Sequence, residues 1–270
     1  MKKILSFLAA GAIALAASAQ ETITPEVLST LKQSYEGNAA DRARQSVVSN
    51  GSFKKMAMRP ELNANGENTY FSIDIRSTGI TDQQSSGRCW MFTSMNALRP
   101  TAQKKYNVNK FDFSHNYNYF WDILEKSNLY LENIIRTAGK EITDQEVVWY
   151  LQSPVGDGGV WNLFHNIGEK YGVVPKEVMP ETVHSNNTGQ MTGVINRRLK
   201  KAGWDIRQVY GEKTANMKKN NKKAQEELAA ALKAAKMEAL EDVYRILVLC
   251  LGEPPVEFTW KYKNNKGEVV

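Results

Sequence analysis

Gln83-Gln84-Ser85-Ser86-Gly87-Arg88-Cys89-Trp90 is the stretch on which the reading of this chain turns. It crosses from a polar, Gly-containing loop (Ser77 to Gly87) into an apolar-periodic segment, Cys89 to about Leu98, whose spacing predicts a helix ended near Pro100. Cys89 therefore falls at a helix N-terminus. A thiol attacks a carbonyl as its thiolate, and the dipole and unpaired N–H groups of a helix N-terminus favour that anion. Gly87 lets the loop turn closely onto the helix. Gln83 lies six residues before Cys89, far enough for the loop to fold back. Its side-chain amide can then donate to the oxyanion formed on attack. A Cys beside a Trp on an amphipathic helix is, taken alone, more often core than catalyst.

Working outward, Thr24-Pro25-Glu26 opens a helix with a Thr cap, Pro at the first position and an acid in the first turn; it runs to about Tyr35, with Gly37 beyond. A second helix is expected over Asp41–Val48, a loop over residues 50–69, and a strand in the alternating Phe71-Ser72-Ile73-Asp74-Ile75. Beyond the Cys89 helix, Ser114 caps a long helical stretch, Tyr117–Ala138. Thr143-Asp144-Gln145-Glu146 reads as a capping box before Val147–Leu151. Pro154 to Gly159 is a loop, Val160–Tyr171 a helix closed by Gly172, and further helices cover Val194–Lys201 and about Thr214 to Leu251.

The two ends differ from the body. Lys2 and Lys3, the apolar run Ile4 to Ala17 and the small residues Ala17-Ser18-Ala19 read as a secretory signal peptide cut after Ala19, hence an exported protein, periplasmic or secreted. Its removal takes the formal charge from +6 to +4. At the other end Val256, Phe258, Trp260 and Tyr262 alternate with polar residues, a half-buried strand; Asn264-Asn265-Lys266-Gly267 is a turn and Glu268-Val269-Val270 starts a return strand. A hairpin so short is marginal, so a β-rich region is expected to follow and the sequence is read as truncated. The organisation expected is residues 1–19 signal, 20–253 a mainly helical domain bearing the nucleophile, with a helical, basic insertion around 190–250, and 254–270 the first strands of an incomplete β-rich domain. No stretch of the body is long and apolar enough to span a bilayer.

The block around Cys89 resembles the active-site signature Gln-x5-Cys-Trp of papain-like cysteine peptidases, and its Ser-Ser-Gly-Arg-Cys-Trp form resembles the bleomycin hydrolase and aminopeptidase C branch. Further stretches agree: Asn116-Tyr117, Phe120-Trp121, Glu125-Lys126-Ser127-Asn128, Leu131-Glu132-Asn133, Asp157-Gly158-Gly159 with Trp161, Glu169-Lys170-Tyr171-Gly172-Val173-Val174-Pro175-Lys176, and Gly252-Glu253-Pro254-Pro255. The resemblance implies an α+β fold in which a helical domain faces a β-rich one, with catalysis in the crevice between them. It implies Cys89 as nucleophile, Gln83 and the Cys89 backbone N–H as oxyanion donors, and Gly158, Gly159 and Trp90 in the substrate cleft. It also implies removal of N-terminal residues from peptides through an acyl-enzyme, without metal or cofactor, and a homo-hexamer for the complete protein. The catalytic His and Asn are expected beyond the matched region. The three histidines here, His115, His165 and His184, are read as structural or surface residues, so the chain by itself is expected to be inactive.

Two cysteines, Cys89 and Cys250, are expected to stay unpaired, since Cys250 sits in the apolar run Ile246 to Leu251 as a small hydrophobe. Residues 197–223 hold ten Lys/Arg against Asp205 and Glu212. A solvated helix face is the plainer reading; a polyanion-binding patch is the sharper one. Three functions are therefore weighed: a cysteine aminopeptidase, a peptide-binding pseudo-enzyme without turnover, and, last, a nucleic-acid-binding module.

Overall fold

A computed structural model describes residues 22–35, 37–59, 70–75, 79–215, 217–218 and 221–270; the expected signal segment lies outside them. The chain divides into two units, one up to Ser72 and one from Ile73 to Val270.

In the first unit α1 (Pro25–Gln33) starts as expected, the Thr24 hydroxyl accepting from the Val27 N–H at 3.3 Å. α2 (Ala39–Asn50) begins earlier than the apolar pattern suggested, because Asn38 caps it through the Asp41 N–H. α3 (Phe53–Ala57) falls in the expected loop, capped by Ser52. Three side-chain caps in a row account for these short helices, none of which contains a buried residue.

The second unit is built round α5 (His115–Arg136). α4 (Cys89–Tyr106) precedes it and continues six residues past Pro100. A Pro inside a helix loses one hydrogen bond and clashes with the preceding turn, a cost of about 3 kcal/mol. Here packing exceeds that cost, since Met95 and Ala102 are buried on either side of Pro100 and Arg99 pairs with Asp112 at 3.0 Å. The helix instead stops at Asn107, left-handed at φ 53°. α5 begins at the predicted cap, the Ser114 hydroxyl accepting from the Tyr117 N–H. α6 (Gln145–Gln152) starts one residue later than a Thr143 box would place it. Asp144 is the cap, and the Glu146 side chain is drawn away to Arg136 and Lys140. α7 (Trp161–Tyr171) ends on Gly172 at φ 76°, as expected. α8 (Val183–Asn186) is a single turn fixed by a Thr182–Ser185 capping box that the sequence reading missed. α9 (Gly189–Thr214) and α10 (Lys222–Leu251) pack on each other and on α5, burying Ile195, Leu199, Ile206, Val243 and Leu247 against Phe120, Ile123, Leu131 and Ile134.

The β component is a correction. Among the described residues there is no strand, only three isolated bridges: Ser85–Asn187, Phe113–Pro175 and Lys263–Val269. Residues 71–75 are exposed and pair with no strand. The turn at Asn264–Gly267 does form, with Tyr262 and Val270 exchanging both backbone hydrogen bonds. The alternating run before it stays outside any ladder, because a strand needs a neighbour to satisfy its backbone. Its inward residues Trp260 and Tyr262 stack on each other and meet the Tyr106 ring edge-on, whereas Val256 is 99% exposed.

The basic segment is mostly solvated, with Arg197, Lys200, Lys201, Lys213, Lys218, Lys222 and Lys223 exposed, and part of it is paired. Arg198 pairs with Asp242 at 2.5 Å, Lys201 with Asp205 at 2.6 Å, and Arg207 donates to the carbonyls of Thr137 and Lys140.

Candidate active site

Cys89 is the first residue of α4, and Arg88 marks the turn into it, its carbonyl accepting from the Met91 and Phe92 N–H groups. Residue 88 points inward and residue 89 outward. Arg88 is fully buried, its guanidinium paired with Glu181 at 2.9 Å, donating to Ser86 Oγ at 3.0 Å and lying over the Phe92 and Tyr119 rings. Cys89 is exposed and free, and Cys250 is free as well. The thiol is therefore presented at a helix N-terminus by an anchor one residue away.

The preceding loop is tightly braced. Gln84 is left-handed at φ 54°, its N–H and side-chain amide both held by the Asp82 carboxylate. Ser85 bonds the Asn186 carbonyl at 3.0 Å, and Ser86 Oγ donates to the Gln83 carbonyl at 2.7 Å. Gln83 is tied into this loop, its Nε2 donating one N–H to the Ser86 carbonyl. An amide nitrogen carries two N–H groups, so one remains for an incoming acceptor.

The glycine turn is bonded to this loop and to the first turn of α4, Asp157 accepting from the Gly87 N–H and from Trp90 Nε1–H. Lys126, one turn after Asp122 on α5, donates from Nζ to the Gly156 carbonyl at 2.9 Å, the Gly158 carbonyl at 2.8 Å and Asp122 Oδ2 at 2.7 Å. Burial pushes the Asp122 carboxyl up to about 6 despite that ammonium. Gly158 is open: a Cβ there would meet nothing within 4 Å. Gly159 is not. A Cβ would stand 2.5 Å from the Trp90 indole, which is itself tied by Nε1–H to the Asp157 carbonyl at 2.9 Å. Trp90 was expected in the cleft. At 7% exposure it backs Gly159 from beneath rather than facing a substrate. We expect Gly159→Ala to cost about 1–3 kcal/mol of folding stability through this overpacking, and Gly158→Ala to stay within about 0.5 kcal/mol. Urea denaturation of the two variants distinguishes them, and equal losses would contradict the packing argument.

None of the three histidines stands beside Cys89 as a partner: among the described residues the thiol has no hydrogen-bonded group. His115 is buried and stacked on Phe92, with ring centroids 3.6 Å apart. Burial, with the Arg88, Lys176 and Arg99 charges added, lowers its pKa to about 3. His165 is exposed near Glu169, and His184 lies on α8. His115 has a stability consequence. The unfolded chain binds this proton below about 6.5 and the folded chain only below about 3. Its stabilising contribution is therefore present above pH 6.5 and lost as pH falls toward 3. Asp122, raised above its ordinary 3.8, acts oppositely: its contribution is full below that value and lost as pH rises through about 6. His115→Phe keeps the stack, so it should gain roughly 2 kcal/mol over the wild type on going from pH 7 to pH 4.5. Denaturant midpoints of both proteins at both pH values test this, and an identical pH dependence would refute it.

Sequence reasoning singled out Cys89, Gln83 and the glycine pair but passed over Lys126, Arg88, Thr188 and Asp157. Lys126 and Asp157 lay inside quoted blocks, and a charged residue flanking two glycines was the available signal.

The profile of the Peptidase C1-like family matches residues 22–269. Aminopeptidase C of Listeria monocytogenes serovar 1/2a is 34% identical over 251 residues, which are 92% of this chain and 53% of the relative. Bleomycin hydrolase of Gallus gallus is 37% identical over 197 residues, 72% of this chain and 40% of the relative. A crystal structure of PepW from Lactobacillus rhamnosis HN001 superposes with a TM-score of 0.76 at 33% identity, covering 92% of this chain and 53% of that one. The chain spans about half the length of the curated relatives it matches.

Proposed function

The chain belongs to the Peptidase C1-like family, and we propose that it carries the nucleophile half of a cysteine aminopeptidase of the aminopeptidase C and bleomycin hydrolase type. The observation that carries this reading is the exposed Cys89 thiol at the head of α4; the Gln83 amide held in the loop just before it and the open backbone at Gly158 support it. A peptide lies along the glycine turn, where missing side chains let its backbone approach. Cys89 Sγ attacks the carbonyl carbon. The carbonyl oxygen becomes an oxyanion, received by the second Gln83 N–H and the Cys89 backbone N–H. Expulsion of the amine leaves a thioester, which water then hydrolyses.

An amine leaves only if it is protonated, and the buried His115 cannot deliver a proton to this site. The resemblance assigns that task to a His beyond the matched stretch. Esters of nitrophenol avoid the requirement, since nitrophenolate departs unprotonated near neutral pH. Mixing this chain with an amino-acid nitrophenyl ester should release a burst of about one nitrophenolate per chain and leave the aminoacyl mass on Cys89. No burst and no adduct would overturn the reading. The missing partner at Cys89 also favours a second reading, a peptide binder without turnover. Peptide binding that survives Cys89→Ala, in a wild type that forms no acyl adduct, would establish it.

Residues 1–19 direct export in this proposal, with cleavage after Ala19. N-terminal sequencing of the protein recovered from its native cell envelope or medium should begin at Gln20, and recovery of Met1 would refute it.

A further inference from the structure

Asp157 precedes the two cleft glycines and has no role in the chemistry above, yet it meets three separate segments. Its Oδ2 accepts from the Gly87 N–H at 2.6 Å and from Thr188 Oγ1–H at 2.5 Å. Its backbone carbonyl accepts from Trp90 Nε1–H at 2.9 Å. The neighbouring carbonyls are fixed as well, because the Lys126 ammonium holds those of Gly156 and Gly158. The carboxylate lies so close over Gly87 that a Cβ there would stand 2.4 Å from Oδ1. Gly87 is thus required by the carboxylate packed against it, in addition to its place in a tight turn. Thr188 closes the third side. It is buried, begins the last turn before α9, and its N–H faces the Ser85 carbonyl.

These contacts join the oxyanion loop, the glycine turn and the head of α9 through one side chain. We propose that Asp157 is a positioning residue that sets the Gly158 backbone, where a peptide lies, at a fixed offset from Cys89 and its oxyanion donors. This rests on the functional reading above. A carboxylate suits the task because it is acceptor-only and one oxygen can take both donors. Asparagine keeps an oxygen in that position and can preserve the arrangement, whereas alanine cannot. The claim concerns alignment of a bound peptide with the thiol and leaves the thiol's own exposure unaltered. A small electrophile that needs no alignment should therefore not sense Asp157, while a peptidyl electrophile should.

The test compares second-order rate constants for Cys89 modification by a peptidyl epoxide and by iodoacetamide, using the full 270-residue chain. The wild type should prefer the peptidyl reagent. Asp157→Ala should lower that preference about 10–100-fold, the scale of a small misplacement of reacting atoms, with the iodoacetamide rate within about 3-fold. Asp157→Asn should restore most of the preference. An Ala variant that keeps the preference, or one in which both rates fall together, would overturn the inference alone. A wild type with no preference for the peptidyl reagent would overturn the functional reading and this inference with it. If Asp157→Ala does not fold, Thr188→Val removes one of the two donors and should lower the preference severalfold; an unchanged ratio in that variant counts against the proposal.

Discussion

Cys89→Ala is expected to abolish the nitrophenolate burst and the acyl adduct while leaving the fold intact. The exposed side chain makes no hydrogen bond among the described residues and contributes nothing to the core, so its loss should change stability by no more than about 0.5 kcal/mol. The chemical effect is far larger. Without the sulfur no group at the head of α4 can form a thioester, and single losses within the catalytic unit of another hydrolase lower kcat by about 10⁴–10⁶. In a protein carrying the whole catalytic set, amide hydrolysis should fall on that scale. Mass spectrometry of the ester reaction gives the direct readout. An acyl adduct that persists on the variant, at Cys250 or elsewhere, would show that the burst does not report on Cys89.

Gln83→Ala should slow acylation by about 10²–10³, the range for loss of one oxyanion donor, or roughly 3–4 kcal/mol of transition-state stabilisation. The side chain has two tasks, since one N–H already ties the loop to the Ser86 carbonyl. The two are separable. Alkylation by iodoacetamide displaces iodide and builds no oxyanion, so it should change by less than about 3-fold if Gln83 acts on the charge. A parallel fall in both reactions would instead mean that Gln83 only braces the loop. Gln83→Glu sharpens the comparison: its carboxylate accepts but cannot donate, and its charge opposes the oxyanion, so it should be at least as slow as alanine.

Much of the helical frame was legible because it is encoded locally. Thr24, Ser114 and Gly172 announce their helix ends through one side chain or one positive φ, and each was found where the sequence placed it. Errors came where tertiary contacts outweigh a local rule. Pro100 reads as a stop, yet α4 passes it because burial and the Arg99–Asp112 pair hold both sides. Phe71–Ile75 and Val256–Trp260 have the alternation of strands, but an alternating run specifies only which face could be buried and cannot supply its own neighbour. The lysines and arginines of residues 197–223 were read as a solvated face, and most are exposed; Arg198 and Arg207 depart from it through contacts with segments distant in sequence. In the candidate site, the residues the sequence could single out were those whose proposed chemistry requires a particular side chain, Cys89 and Gln83. Asp157 and Lys126 stood in conspicuous blocks, but what they hold, groups on other segments, is a relation no spacing along the chain expresses.

Arg88 carries one more consequence. The side chain that anchors the site and the one that reacts are neighbours aimed in opposite directions, one sealed inside with Glu181 and the other open to solvent. Losing the sulfur would leave that internal ion pair undisturbed, whereas losing either partner of the pair would strand a charge away from water at a cost of roughly 3–5 kcal/mol. Lineages descending from such a chain can therefore change residue 89 at little structural cost, while the arginine beside it is far harder to give up.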